Sequence, residues 1–223
     1  NSPFGGTYFP KQASRSYIFD YCISELTYLM SDESPMPEAR AEYPRADKGS
    51  VAGLLARMYL NSNVYTGVER WAEAKAACEA VFDMGYSLCP DYAALFRGDN
   101  GTNMQARGEM LWAIGYNAEK TQSYGGTSYI LSAALASTDI TDQSRPNGQR
   151  NGWAGLRVPY EYVSKYYGVS GQDYETGTYQ VDDKRGEVFY IKGRSESMDG
   201  ALYNFMNGWS CLKFNNIPHD MTD

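Results

Sequence analysis

Histidine is almost missing from this chain. The single imidazole, His219, lies close to the C-terminal end, so these residues cannot assemble a histidine-based triad or a histidine-cluster metal site. Cysteine is sparse too. Cys22, Cys78, Cys89 and Cys211 show no C-x-x-C spacing. Cys22 and Cys78 fall on apolar helical faces and are expected as buried free thiols, with a Cys78–Cys89 bridge left open. No apolar run approaches the roughly 18 residues of a membrane-spanning helix. Phosphate-cradling loops are absent, since neither G-x-x-x-x-G-K-[ST] nor a helix-opening G-x-G-x-x-G occurs. Positive charge is in deficit. Twenty basic against 27 acidic residues give a net charge of −7 with no basic stripe, which argues against a nucleic-acid partner. Two carboxylates would suffice for a glycosidase, but nothing singles out a pair among 27 Asp and Glu. The reading is a protein without catalysis, cofactor or metal.

What the chain has in excess is tyrosine. Aromatics make up 14% of it, and 20 residues are Tyr. A phenol ring pairs an apolar face with a polar tip and suits half-wet surfaces. Sugars have the complementary character, with C–H faces ringed by hydroxyls. Protein interfaces are tyrosine-rich as well, so composition alone leaves both partners open.

Residues 1–13 read as an extended entry loop. The 3.6-residue period predicts a helix over 14–30, with Ile18, Cys22, Leu26 and Leu29 on its face. Pro35, Pro37 and Pro44 keep 32–45 from being helical throughout. Two further helices are expected. One runs over 47–61 with Asp47 as N-cap, the other over 69–83 with Gly85 closing it. Gly53, Ala56 and Tyr59 on the first, against Trp71, Ala74, Cys78 and Val81 on the second, resemble the small-against-large packing of a tetratricopeptide helix pair. Residues 110–114 read as a buried strand or extended segment. Residues 117–152, rich in Gly, Ser, Thr, Asn and Gln, read as a long functional loop region. A helix is expected over 159–167, then irregular chain with short strands near 187–192 and 202–205. Trp71 and Trp112 are expected in the core, and Trp209 has no assignment. The Asp99–Asn103 run has oxygen-bearing side chains but lacks the length and closing Glu of an EF-hand loop, which favours a plain turn.

The segment Lys48–Phe96, ending in Gly85-Tyr-Ser-Leu-Cys-Pro-Asp-Tyr-Ala-Ala-Leu-Phe96, resembles the SusD/RagB family. Other pieces in the same order extend the resemblance: Ser14–Leu26 (S-R…F…I-x-E-L), Asn103–Tyr116 with Glu109-Met-Leu-Trp-Ala-Ile-Gly115, Asn151–Val163 (G-W-x-G-x-R-x-T-P, with Val158 where Thr is usual) and Asp182-Asp-Lys-Arg185. The resemblance implies an internal piece of a longer surface lipoprotein of Bacteroidetes. Its lipid anchor to the outer membrane would lie outside these residues. It also implies non-catalytic glycan capture in polysaccharide utilization and nutrient uptake, with delivery to a TonB-dependent, SusC-like transporter. The alternative is a module that binds protein or peptide and docks on the transporter without its own sugar site. The expected fold is mainly α: a tetratricopeptide-like region over 1–115, and a loop-rich, ligand-facing region of the same domain over 116–223 with a few short strands.

Within that second region the candidate ligand residues are Tyr116, Asn117, Tyr124, Tyr129, Trp153 and Arg157, with Gln149 nearby in sequence. They supply flat rings for stacking together with amide and guanidinium groups for adjacent hydroxyls. For Trp153 the competing expectation is packing against Leu156 and Val163.

Overall fold

The computed structural model describes residues 11–117, 119–199, 203 and 205–219. The first ten residues of the expected entry loop, and Leu202 and Asn204 of the expected strand at 202–205, lie outside the described residues. The chain is mainly helical with two small antiparallel sheets, as expected, and it divides into two compact units.

The first unit comprises residues 1–87 and 109–114. Helix α1 (Arg15–Met30) starts where the Ser14 side chain accepts a hydrogen bond from the Tyr17 N–H. Helix α2 (Lys48–Leu60) starts at Asp47, whose carboxylate accepts from the Ser50 N–H while the Ser50 hydroxyl accepts from the Asp47 N–H. This reciprocal cap satisfies two donors that the first turn would otherwise leave orphaned. Tyr86 donates to the same carboxylate, and its ring fills the space beside Gly49, where a methyl group would collide with it. A short α3 (Ser62–Thr66) ends at Gly67 in the left-handed region. Helix α4 (Trp71–Asp83) is closed by Gly85, φ +78°, one residue past its cap. Helix α2 packs against both α4 and α1, so the expected helix pair is in contact.

Its seams differ from expectation. On α4 the inward face is Ala74, Ala77, Val81 and Met84, and Cys78 is exposed. Trp71, expected in the core, is 47% exposed because it opens the helix on the outer side of that seam. On α1 the buried position is Phe19, and Ile18 points outward. Residues 110–114 form no strand. They run as an irregular segment that leaves Trp112 65% exposed and sends Leu111 against Gly53, while the Ser50 hydroxyl donates to the Leu111 carbonyl at 2.6 Å. Gly53 thus makes room for a loop side chain rather than for a helix. All four cysteines are free, with Cys22, Cys89 and Cys211 half-buried, so the Cys78–Cys89 bridge does not form.

The second unit comprises residues 88–108 and 115–223. It contains α5 (Met104–Glu109, to its penultimate residue), α6 (Gly126–Ala133), α7 (Tyr160–Tyr167), the β1–β2 hairpin (Ser170–Asp173, Thr178–Gln180) and the β3–β4 pair (Phe189–Tyr190, Ser210–Cys211). The Asp99–Asn103 run is a turn, as expected, with the Thr102 and Asn103 N–H groups donating to the Asp99 carbonyl. Trp209, which the sequence left unassigned, is the centre of this unit. It is fully buried among Val163, Val169, Phe189 and Ile191, with the rings of Tyr160, Tyr174, Tyr179 and Phe189 at 5.3–6.3 Å from its own. Its indole N–H donates to the Tyr174 hydroxyl at 3.2 Å. Tyr179 is tied in as well, for its single O–H lies within hydrogen-bond distance of both the Gly186 and Phe189 carbonyls, and its oxygen accepts from the Phe189 N–H. Burial pushes its hydroxyl up to about 12. A second anchor is the buried ion pair Arg194–Asp139; Arg194 also donates to the Phe205 carbonyl, and Asp139 accepts from the Ala136 N–H. Among the described residues no helix is long and apolar enough to cross a membrane.

Candidate functional site

The stretch expected as one long loop contains a helix. Residues 126–133, Gly-Thr-Ser-Tyr-Ile-Leu-Ser-Ala, form α6, and its Leu131, Ser132 and Ala133 are buried together with Ala134 and Leu135. Gly126 and Ser128, of the residue types that suggested loop, lie on the exposed first turn, while the following Leu131–Ala133 run is buried. Tyr116 packs on the first turn: a Cβ on Gly126 would lie 2.7 Å from its hydroxyl. Residues 117–125 are therefore an excursion whose two ends are held together.

The partner of α6 is the chain from Trp153 to Leu156. The Trp153, Leu156 and Ala154 N–H groups donate to the carbonyls of Ser132, Ala133 and Leu135 at 2.8, 3.0 and 2.8 Å. Those of Ser132 and Ala133 are last-turn carbonyls that α6 cannot satisfy internally, and that of Leu135 lies just past the helix end. Gly152 passes so close to the Leu135 and Ala136 backbone that no side chain fits there. Ala154 sits at φ +59°, an unfavourable region for a residue with a Cβ, and its bond to Leu135 holds it there. The buried Asn147 donates to the Leu131 carbonyl from the other side.

This scaffold presents two rings to solvent. Tyr124 is 87% exposed and Trp153 42%, with centroids 6.1 Å apart and planes tilted by 43°. Trp153 is not among the residues of the buried cluster around Val163. Tyr116 and Tyr129 are also exposed, Tyr129 on α6 itself. Asn117 is differently employed. Its side-chain oxygen accepts from the Glu119 and Lys120 N–H groups, and its carbonyl accepts from the Thr121 hydroxyl, closing a local turn. Gln149 meets the Ser132 hydroxyl only at 3.5 Å.

Arg157 lies elsewhere. Its guanidinium donates to the Asn207 carbonyl at 3.0 Å, stands 5.3 Å from the Phe205 ring centroid, and lines an open cleft of roughly 480 Å³. None of the other five candidates lines that cleft. Its walls are Tyr92, Tyr162, Tyr167, Val158, Pro159, Val188 and Phe189, with Arg185 and Lys213 as further cations. Sequence reasoning quoted the Asp182–Arg185 run without giving it a role and passed over Lys213. No period or spacing joins residues 92, 162, 185 and 213, which only the tertiary fold brings together.

No family model matches the chain. It is 33% identical over 159 residues to the starch-binding protein SusD of Bacteroides thetaiotaomicron, a match covering 71% of this chain. The chain is a SusD-like family member. The matched stretch spans 27% of the relative's length.

Proposed function

We propose that this chain binds a glycan without catalysis, at the surface of a bacterial cell, and that Tyr124 and Trp153 are the stacking platform. The observation that carries the reading is two neighbouring, solvent-facing rings on a backbone pinned to the end of α6. A sugar's C–H face can lie on such rings with little ordering cost, since the scaffold is already fixed. The starch-binding name of the relative supports a glycan, and an α-glucan is the first to test. In the same reading the glycan passes to a TonB-dependent, SusC-like transporter, and a lipid anchor outside these residues holds the protein to the outer membrane. Tyr116 and Tyr129 extend the platform. Asn117 shapes the loop between them.

Affinity electrophoresis or calorimetry on starch oligosaccharides tests the platform. Tyr124→Ala and Trp153→Ala each remove one ring and are expected to weaken binding by roughly five- to thirty-fold, about 1–2 kcal/mol. Unchanged affinity in both variants, with the circular dichroism of the native chain, would sink the assignment. A docking module for protein or peptide is the second reading, favoured by the outward apolar row Tyr17, Ile18, Tyr21 and Tyr28 on α1. Loss of transporter association in Ile18→Glu with glycan affinity intact would support it.

A further inference from the structure

The cleft that holds Arg157 is chemically unlike the rest of the molecule. The chain as a whole is acidic, at −7, yet three cations and no carboxylate line this recess. Lys213 places its ammonium 4.2 Å from the Phe96 ring centroid and 5.7 Å from that of Tyr92. It makes no ion pair among the described residues. Arg185 is steadied by Asp183, which accepts from its Nε and Nη2 at 3.0 and 2.5 Å, so the guanidinium is held in one orientation. The wall also contains Tyr162 and Tyr167, with ring centroids 6.2 Å apart. Burial, and then the Tyr162 hydroxyl, raise the Tyr167 hydroxyl above its ordinary range, so it remains a neutral hydrogen-bonding group at physiological pH. A volume of roughly 480 Å³ lies within the usual range of small-ligand sites.

We propose that this cleft is a second subsite of the same binding function and takes the uronate residue of an acidic saccharide. The assignment rests on the glycan reading above and extends it to charged sugars. A pyranuronate would use every part of the wall. Its carboxylate answers Lys213 and Arg185, its C–H face answers the tyrosine rings, and its hydroxyls answer the phenol oxygens. A bare peptide terminus would use only the cations.

Calorimetry on the full chain with trigalacturonate and, separately, maltotriose tests this. Trigalacturonate binding is expected to weaken about ten-fold in Lys213→Gln and in Arg185→Gln, to recover in Lys213→Arg, and to fall with added salt. Maltotriose binding should be unmoved by these variants and should respond instead to Trp153→Ala. Trigalacturonate affinity that neither cation variant changes would overturn the subsite while leaving the platform standing. Loss of maltotriose response at Trp153, with the uronate effect intact, would overturn the platform and keep the cleft. Binding of a tripeptide carboxylate through Lys213, with no uronate binding, would overturn the sugar assignment. Circular dichroism of each variant separates these outcomes from unfolding.

Discussion

Replacing Trp209 by alanine is expected to be the most damaging single truncation in the second unit. The side chain is fully buried, so essentially all of its surface is withdrawn from water. Roughly 200 Å² at about 25 cal/mol per Å² corresponds to about 5 kcal/mol, and Trp-to-Ala changes in cores cost about 3–5 kcal/mol. The four surrounding rings cannot all collapse into the vacancy. Tyr179 is tied to backbone at Gly186 and Phe189, and Tyr160 and Phe189 belong to α7 and β3. Most of the loss should therefore persist. Trp209→Phe keeps one ring in the cluster but removes the rest of the indole together with its donor to Tyr174, a half-buried hydroxyl that can turn to solvent, so a smaller loss of about 1–3 kcal/mol is expected. Urea unfolding by near-ultraviolet circular dichroism measures both, fitted as two transitions if the two units separate. Intrinsic fluorescence adds a check, because Trp71, Trp112 and Trp153 are exposed and the blue-shifted emission belongs to Trp209. A Trp209→Ala loss below about 1 kcal/mol, with blue emission retained, would refute the central role given to this residue.

Two further outcomes follow from buried groups. Asp139→Ala strips the carboxylate from a nearly inaccessible Arg194 and is expected to cost about 3–5 kcal/mol in thermal or urea melts, whereas Asp139→Ala combined with Arg194→Met should recover much of it. All four cysteines should titrate with a thiol reagent. Exposed Cys78 should react first and Cys211 last, since burial raises its thiol and keeps the thiolate scarce, and mass spectrometry of partly modified protein reads the order.

The helical part was legible wherever a cap and a period agreed. Asp47 with Ser50, and Gly85 after α4, mark ends that local chemistry alone decides. The seams were less legible. Residues 71, 74, 78 and 81 form as good an apolar stripe as 74, 77, 81 and 84, and the choice between them is made by what α2 offers. Trp209 shows the limit most plainly, because its environment comes from residues 160 to 191 and nothing in its own neighbourhood announces burial. For the candidate site, Tyr124 and Trp153 were chosen as exposed-ring chemistry, and the fold sets them side by side. Arg157 was grouped with them by sequence proximity, yet it lines the cleft with residues as distant as 92 and 213. Composition hid α6, since loop-forming and helix-opening residues are the same types.

The join between α6 and the Trp153 segment separates what evolution can rewrite from what it cannot. Gly152, Ala154 and the three backbone bonds behind them fix the indole whatever its neighbours are. The excursion 117–125 begins and ends at the Tyr116–Gly126 contact, so its length and side chains can change without reaching the helix. A lineage could exchange Tyr124 for another residue, or lengthen the excursion, and meet a new ligand on the same anchored ring. The same seam is where a designed sequence could be grafted to retarget the surface.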